Sequence, residues 1–296
     1  MNDYLAYLAN CPLRGIEMHP GNKNGKAGKY PNLIRINIDG FVLELHQDNK
    51  LPSNLSELRG GQICTTELYV RGVDKEDLNR LQETIGYVSE LLSFATESRV
   101  LPYAFEFPVG SSMGQKLAMV GTVQRWRPPF DNPEDVKKLV ETCYDEYVRL
   151  RNPRMLHVAI DYMHHTVMKG LAREIQIGLA CVAFENLRHN WAIDNGYPHI
   201  NGFFREKTAT QARPGNPVGI KRHLEEMFSE VGMVSDEERI FDTRNEVIHT
   251  GLYGNIGNDD TYEFLENALR EYFLRVVGYH GQFMPYCGGS PTPCNI

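Results

Sequence analysis

A chain of 296 residues, 42% hydrophobic and 23% charged, is long enough for one large or two ordinary domains, each with an apolar core. A formal net charge of −7 argues against a broad electrostatic grip on nucleic acid, so any such contact has to use local basic patches. No run approaches the length of a bilayer span, the opening MNDYLAYLANCPLRG lacks the basic start and apolar stretch of a secretory signal, and six scattered cysteines form no disulfide framework. The expected address is the cytoplasm.

Taken in order, the first 128 residues read as mixed α/β. The Gly/Lys-rich HPGNKNGKAGKYPN lacks the Gly-Lys-Ser/Thr ending of a phosphate loop and no strand feeds it, so a mobile surface loop is expected. In LIRINIDGFVLEL, Ile34, Ile36 and Ile38 alternate with polar residues and then break at Asp39-Gly40, the dipeptide of a tight hairpin turn. ICTTELYV is a further strand. Behind Asp74 as N-cap, Leu78, Leu81, Ile85, Val88, Leu92 and Ala95 recur at helical spacing. YAFEFPV and KLAMVGTVQ read as strands.

RWRPPFDNPEDV breaks the pattern, and the domain boundary is placed near 128. Residues 1–128 carry equal numbers of basic and acidic side chains, 14 each, whereas 129–296 carry 17 basic and 24 acidic. From Pro133, at the first position of a helix, the reading is helical: near 133–150, 154–169, 171–194, 217–231, 236–249 and 260–279, with almost no strand pattern. Residues 282–296, QFMPYCGGSPTPCNI, read as a loosely held tail. The fold class is therefore α+β, a mixed α/β domain followed by an all-α bundle. Cys143 and Cys181 fall within apolar helical patterns as core residues. Cys287 and Cys294 lack paired histidines, and His164-His165 has only Asp161 spaced near it. No metal and no cofactor is expected.

The stretch with chemistry is Arg244-Asn245-Glu246-Val247-Ile248-His249, at the end of a helix that Gly251 and Gly254 are expected to stop. Asn245 and His249, four apart, share a face, so Asn245 can orient the imidazole; Arg244, five from His249, does not share it on a straight helix. Metal-free RNA cleavage needs a base for the ribose 2′-OH, an acid for the leaving 5′-oxygen and a cation for the charge growing on the phosphate oxygens. Histidine titrates near neutrality and suits the proton steps, and arginine's planar fork suits the phosphate. A single histidine serves one proton step at a time, so a homodimer with two motifs in one cleft is expected. The plain alternative is an Arg and a His that satisfy the last carbonyls of a helix.

Elsewhere, Glu185 is spaced to pair with His189 across one helical turn or to brace Arg244 from the neighbouring helix. In FFREKTATQARPGNPVGIKRH, Arg205, Lys207, Arg213, Lys221 and Arg222 are opposed only by Glu206. This is expected to be a long mobile loop, either an RNA-backbone contact with Phe203 and Phe204 for stacking or an ordinary solvated loop.

With these residues in view, the chain resembles the HEPN superfamily (higher eukaryotes and prokaryotes nucleotide-binding) over about residues 130–280. That family's small helical bundle carries Arg, four to six residues, then His, usually with Asn, His or Asp after the Arg. The apolar run of REIQIGLACVAFENLRHNW leading into Phe184-Glu185 resembles its core helix. The resemblance implies a dimeric, metal-independent endoribonuclease of the toxin–antitoxin, abortive-infection or antiviral kind, acting on RNA through Arg244, Asn245 and His249. Tyr253 lies four places beyond His249 rather than the two of the small toxin subfamily, which separates the chain from the adenylylation-controlled toxins. The other reading, from a different class, is a non-catalytic HEPN scaffold that binds RNA, nucleotide or a partner protein. The resemblance stops short of residues 1–128, which are expected to sense a regulatory trigger or recruit substrate.

Overall fold

The computed structural model describes residues 1–23, 26–47, 55–111, 122–124, 127–250, 259–287 and 292–296. The chain divides into two compact units, 1–144 with 283–285 and 145–282 with 286–296. The division falls inside a helix rather than at the proline break near 128.

The first unit is a six-stranded antiparallel sheet with one long helix. Its strands are β1 (Asn2–Ala9), β2 (Glu17–Lys23), β3 (Lys26–Ile38), β4 (Phe41–Gln47), β5 (Cys64–Val73) and β6 (Leu101–Glu106), in spatial order β2-β3-β4-β5-β1-β6. The β3–β4 hairpin is as expected: Ile38 pairs with Phe41, and Asp39 and Gly40 take φ of 49° and 78°. Helix α1 (Leu78–Thr96) lies over the face that carries Tyr4, which hydrogen-bonds Gln82, and the core is buried there. Leu81, Ile85, Val88 and Leu92 of α1 and Ala6, Leu43, Leu45, Leu68 and Val70 of the sheet are all at 4% exposure or less. Strand pairing makes the opposite face different. Register puts Tyr7 beside Glu67 beside His46 in one row, and Tyr69 beside Glu44 beside Arg35 in the next.

Several expectations are corrected here. The Gly/Lys-rich stretch is not a loop but the β2–β3 hairpin, in which Lys23 pairs with Lys26. Asp74 does not cap α1: its side chain makes no cap bond, and a short 3-10 turn over 75–77 intervenes. The strand read at KLAMVGTVQ lies largely outside the described residues; Val123 makes an isolated bridge to Ser98.

The second unit is helical: α2 (Pro133–Arg151, shared with the first unit), α3 (Leu156–Thr166), α4 (Arg173–Asp194), α5 (Ile220–Glu230), α6 (Glu237–Thr250) and α7 (Asp259–Val276). α4 is the hub, packing on α3, α5, α6 and α7. Its apolar stripe explains this, since Ala180, Phe184, Leu187 and Trp191 recur at helical spacing and are buried. Phe184 meets Phe228 edge-on at 6.3 Å, and Phe228 meets Tyr272 at 5.7 Å. Arg154, 6% exposed, clamps one end by ion pairs to Asp194 at 2.6 Å and Glu230 at 2.9 Å. The unit is not purely helical: β7 (His199–Ile200) pairs with β8 (Phe203–Phe204) between α4 and α5. The terminal segment is not wholly loose either. Asn267 hydrogen-bonds both the N–H and the C=O of Tyr286, whose ring packs on Tyr262 at 5.2 Å. No helix among the described residues is long and apolar enough to cross a membrane.

Candidate functional site at the end of helix α6

Helix α6 buries Ile240 and Thr243, which leaves Arg244, one residue on, at the edge of the contact with α4. Close approach is helped by Gly178 of α4, where a Cβ would stand 3.5 Å from Val247 Cγ1. Glu185 projects from the same side of α4 and receives the arginine. Arg244 Nε donates to Glu185 Oε1 at 3.0 Å, and Nη1 donates to Asn245 Oδ1 at 2.9 Å. Nη2 makes no hydrogen bond among the described residues, so the outer part of the fork is free.

Glu185 serves a second guanidinium. Its Oε2 accepts from Arg188 Nη2 at 2.8 Å, and Arg188 Nη1 lies 3.2 Å from His223 Nδ1 on α5. A guanidinium has only N–H to offer, so Nδ1 accepts and the His223 proton sits on Nε2. His223 is fully buried among Tyr197, Phe204 and Trp191. Burial, then the Arg188 charge, hold its pKa down to about 4, so it is neutral at pH 7. The array Arg244–Glu185–Arg188–His223 therefore has two fixed positive charges and one negative, a surplus that suits an anion. Cys181, one turn before Glu185, is no nucleophile: burial pushes its thiol up to about 12 against the opposing pull of Arg244.

His249 is exposed in the last turn of α6, and its side chain makes no hydrogen bond among the described residues. Spacing predicts that Asn245 orients the imidazole; among the described residues no hydrogen bond joins the two, and the amide oxygen accepts from Arg244. Gly251, Gly254 and Tyr253 lie outside the described residues. Of the two roles open to Glu185, the structure has the brace on Arg244. His189 is instead edge-on to Phe204 at 5.0 Å and His199 at 5.7 Å.

The basic stretch between α4 and α5 differs from expectation in three ways. It carries pairing of its own, with bridges Arg205–Pro217 and Thr210–Arg213. Two of its cations are neutralised by more than Glu206: Arg222 binds both Glu206 and Glu226, and Lys221 binds Glu238 at 3.3 Å. Phe204 is buried and closed to stacking, while Phe203 is exposed with Arg205 over its ring at 5.4 Å. Lys207 sits 4.8 Å from the Tyr197 ring, and Arg213 is exposed, so Arg205, Lys207 and Arg213 are the cations left for a phosphate backbone.

Arg188 and His223 were missed at the level of sequence. Arg188 was findable, because it lies three residues after Glu185 on the same helix; His223, 35 residues further on, left no signal. Compared with protein families, with curated proteins and with solved structures, the chain matches none.

Proposed function

We propose that the helical unit is a metal-independent endoribonuclease of HEPN type. The observation that carries this reading is the braced Arg244: Glu185 and Asn245 hold one side of the guanidinium and leave Nη2 uncommitted, on the helix that ends with an exposed His249. In the reaction, His249 takes the proton of a ribose 2′-OH as the 2′-oxygen attacks phosphorus. Arg244 stabilises the charge on the non-bridging oxygens. The 5′-oxygen leaves with a proton from a second, protonated imidazole, which gives a 2′,3′-cyclic phosphate and a 5′-hydroxyl.

The second imidazole comes from a second copy, so the active unit is a homodimer. In support, Ile175, Val182 and Ile193 are exposed on α4. At about 100° per residue they fall within roughly 20° of one another, an apolar stripe suited to a twofold partner. Arg205, Lys207 and Arg213 contribute backbone contacts to the RNA. The setting that fits such an enzyme is cytoplasmic defence, as an abortive-infection or toxin effector, with the first unit sensing the trigger.

Expression of wild type beside His249→Ala, with cellular RNA integrity followed over time, tests this. RNA is expected to degrade only in the wild type; equal degradation, or none in either with purified protein also inert on RNA, overturns it.

A further inference from the structure

The exposed face of the six-stranded sheet holds a cavity of about 660 Å3, lined among others by Tyr7, His46, Gln47, Glu67, Tyr69 and Tyr103. Three features of its lining point in one direction. First, it is aromatic: Tyr7 and Tyr103 lie 6.1 Å apart, and His46 is edge-on to Tyr69 at 5.1 Å. Second, it has a surplus of negative charge. Glu44 and Glu67 line it against one arginine, Arg71; Glu44 is matched by Arg35 and Arg71, whereas Glu67, and Glu106 just outside the lining, have no ion-pair partner among the described residues. Tyrosines of the lining donate to both, Tyr69 OH to Glu67 at 3.1 Å and Tyr7 OH to Glu106 at 2.7 Å, and the N–H of Gly110 donates to Glu106 at 2.9 Å. Third, the wall contains an unsatisfied group. Gln47 is 5% exposed; its Oε1 accepts from Thr66 Oγ1 at 3.1 Å, and its Nε2 has no hydrogen-bond partner among the described residues. A buried amide end left open is costly unless something binds it.

We propose that this cavity binds a protonated organic amine, held over the Tyr7, Tyr69 and Tyr103 rings with its charge facing Glu67. Ring faces carry negative potential and attract a cation within about 6 Å of their centroid. Tyrosines that donate their O–H to carboxylates keep the phenol neutral and the ring electron-rich. The acidity of the two phenols is altered accordingly: Tyr7 is pushed up to about 12 by its bond to Glu106, by burial and by the two carboxylates, and Tyr69 is raised by burial and by Glu67. His46 adds no competing charge near neutrality, because burial and then His19 lower its pKa, outweighing Glu44 and Glu67. A half-turn of the Gln47 amide bonds Nε2 to Thr66 and turns an open carbonyl oxygen to an ammonium N–H. The charge surplus that favours an amine disfavours the phosphates of a nucleotide, although the aromatic wall by itself would suit a base. The inference does not depend on the ribonuclease reading, since it uses other residues in the other unit.

The test holds carbon chain constant and varies charge. The full chain is titrated with n-butylammonium chloride, n-butanol and sodium butyrate at matched ionic strength, followed by saturation-transfer NMR and calorimetry, with AMP as a fourth probe. Butylammonium is expected to bind saturably, butanol more weakly and butyrate not at all. Glu67→Gln and Tyr69→Leu, each checked for unchanged circular dichroism, are expected to weaken the amine by about 3- to 30-fold. Equal response to all three butyl probes, no saturable amine binding, or undiminished binding in Glu67→Gln overturns the proposal. So does AMP binding that depends on Tyr69 while the amine does not bind, which would make the face a base-stacking platform.

Discussion

The two polar regions of this protein use the same side-chain types with opposite charge balance. At the end of α6 one carboxylate, Glu185, is shared by two arginines, so positive charge is left over at Arg244. On the sheet face the proportion is reversed: four carboxylates, Glu17, Glu44, Glu67 and Glu106, stand against two arginines, Arg35 and Arg71, and Glu67 and Glu106 are bonded among the described residues by tyrosine hydroxyls and the N–H of Gly110. The difference teaches that pairing stoichiometry, more than residue type, decides which ligand charge a region can hold. It follows that substitutions that alter the stoichiometry should alter function in each unit independently.

The largest expected effect is on the anion side. His249→Ala and Arg244→Ala should each lower RNA cleavage by about 10²–10⁴-fold, the range of a lost proton-transfer or charge-stabilising group. His249→Ala should leave the unfolding temperature unchanged, because the side chain is exposed and makes no hydrogen bond among the described residues. Asn245→Ala should cost less than either, since Asn245 steadies Arg244 and the Glu185 brace remains. Single-turnover kinetics on a short RNA ranks the three.

Next in size is removal of the shared carboxylate. Glu185→Ala leaves two guanidiniums facing each other and is expected to destabilise the helical unit by about 1–3 kcal/mol, below the range for a fully buried pair because Glu185 is 24% exposed. Adding Arg188→Met should recover part of that loss, because the stranded charge is gone. Urea melts of the two single variants and the double variant give the coupling directly.

A smaller, pH-dependent effect comes from His223. Its pKa in the folded protein is about 4, against an ordinary 6.5, so the unfolded chain binds the extra proton first. Stability is therefore complete above pH 6.5 and is lost as pH falls from 6.5 towards 4, by at most about 3 kcal/mol. His223→Gln should flatten that limb of the stability–pH curve, as measured by urea midpoints. An unchanged limb would mean that His223 is not the titrating group.

How much of this was open to sequence reasoning depended on whether the cause was local. The helices of the second unit, and the Asp39-Gly40 hairpin, rest on periodicity and turn chemistry within a few residues, and both are found. β1 was missed because Tyr4, Leu5 and Ala6 are consecutively buried, which removes the alternation that marks a strand. β2 and the start of β3 were missed because glycine, lysine and proline read as loop, whereas pairing with the rest of the sheet decides otherwise. Glu185 was visible as a brace only because a helix-by-helix layout could be guessed; the two residues are 59 apart. The sheet cavity was invisible, since Tyr7, His46, Glu67 and Tyr103 meet through strand register alone.

The central claim is that Arg244 and His249 cut RNA without a metal, and the ends of the cut RNA test it most directly. Purified protein is incubated in EDTA with a short labelled RNA, and the product termini are determined for wild type and His249→Ala. The account predicts a 2′,3′-cyclic phosphate and a 5′-hydroxyl from the wild type and intact RNA from the variant. Cleavage that EDTA abolishes and a divalent ion restores, or that leaves a 5′-phosphate, would contradict it.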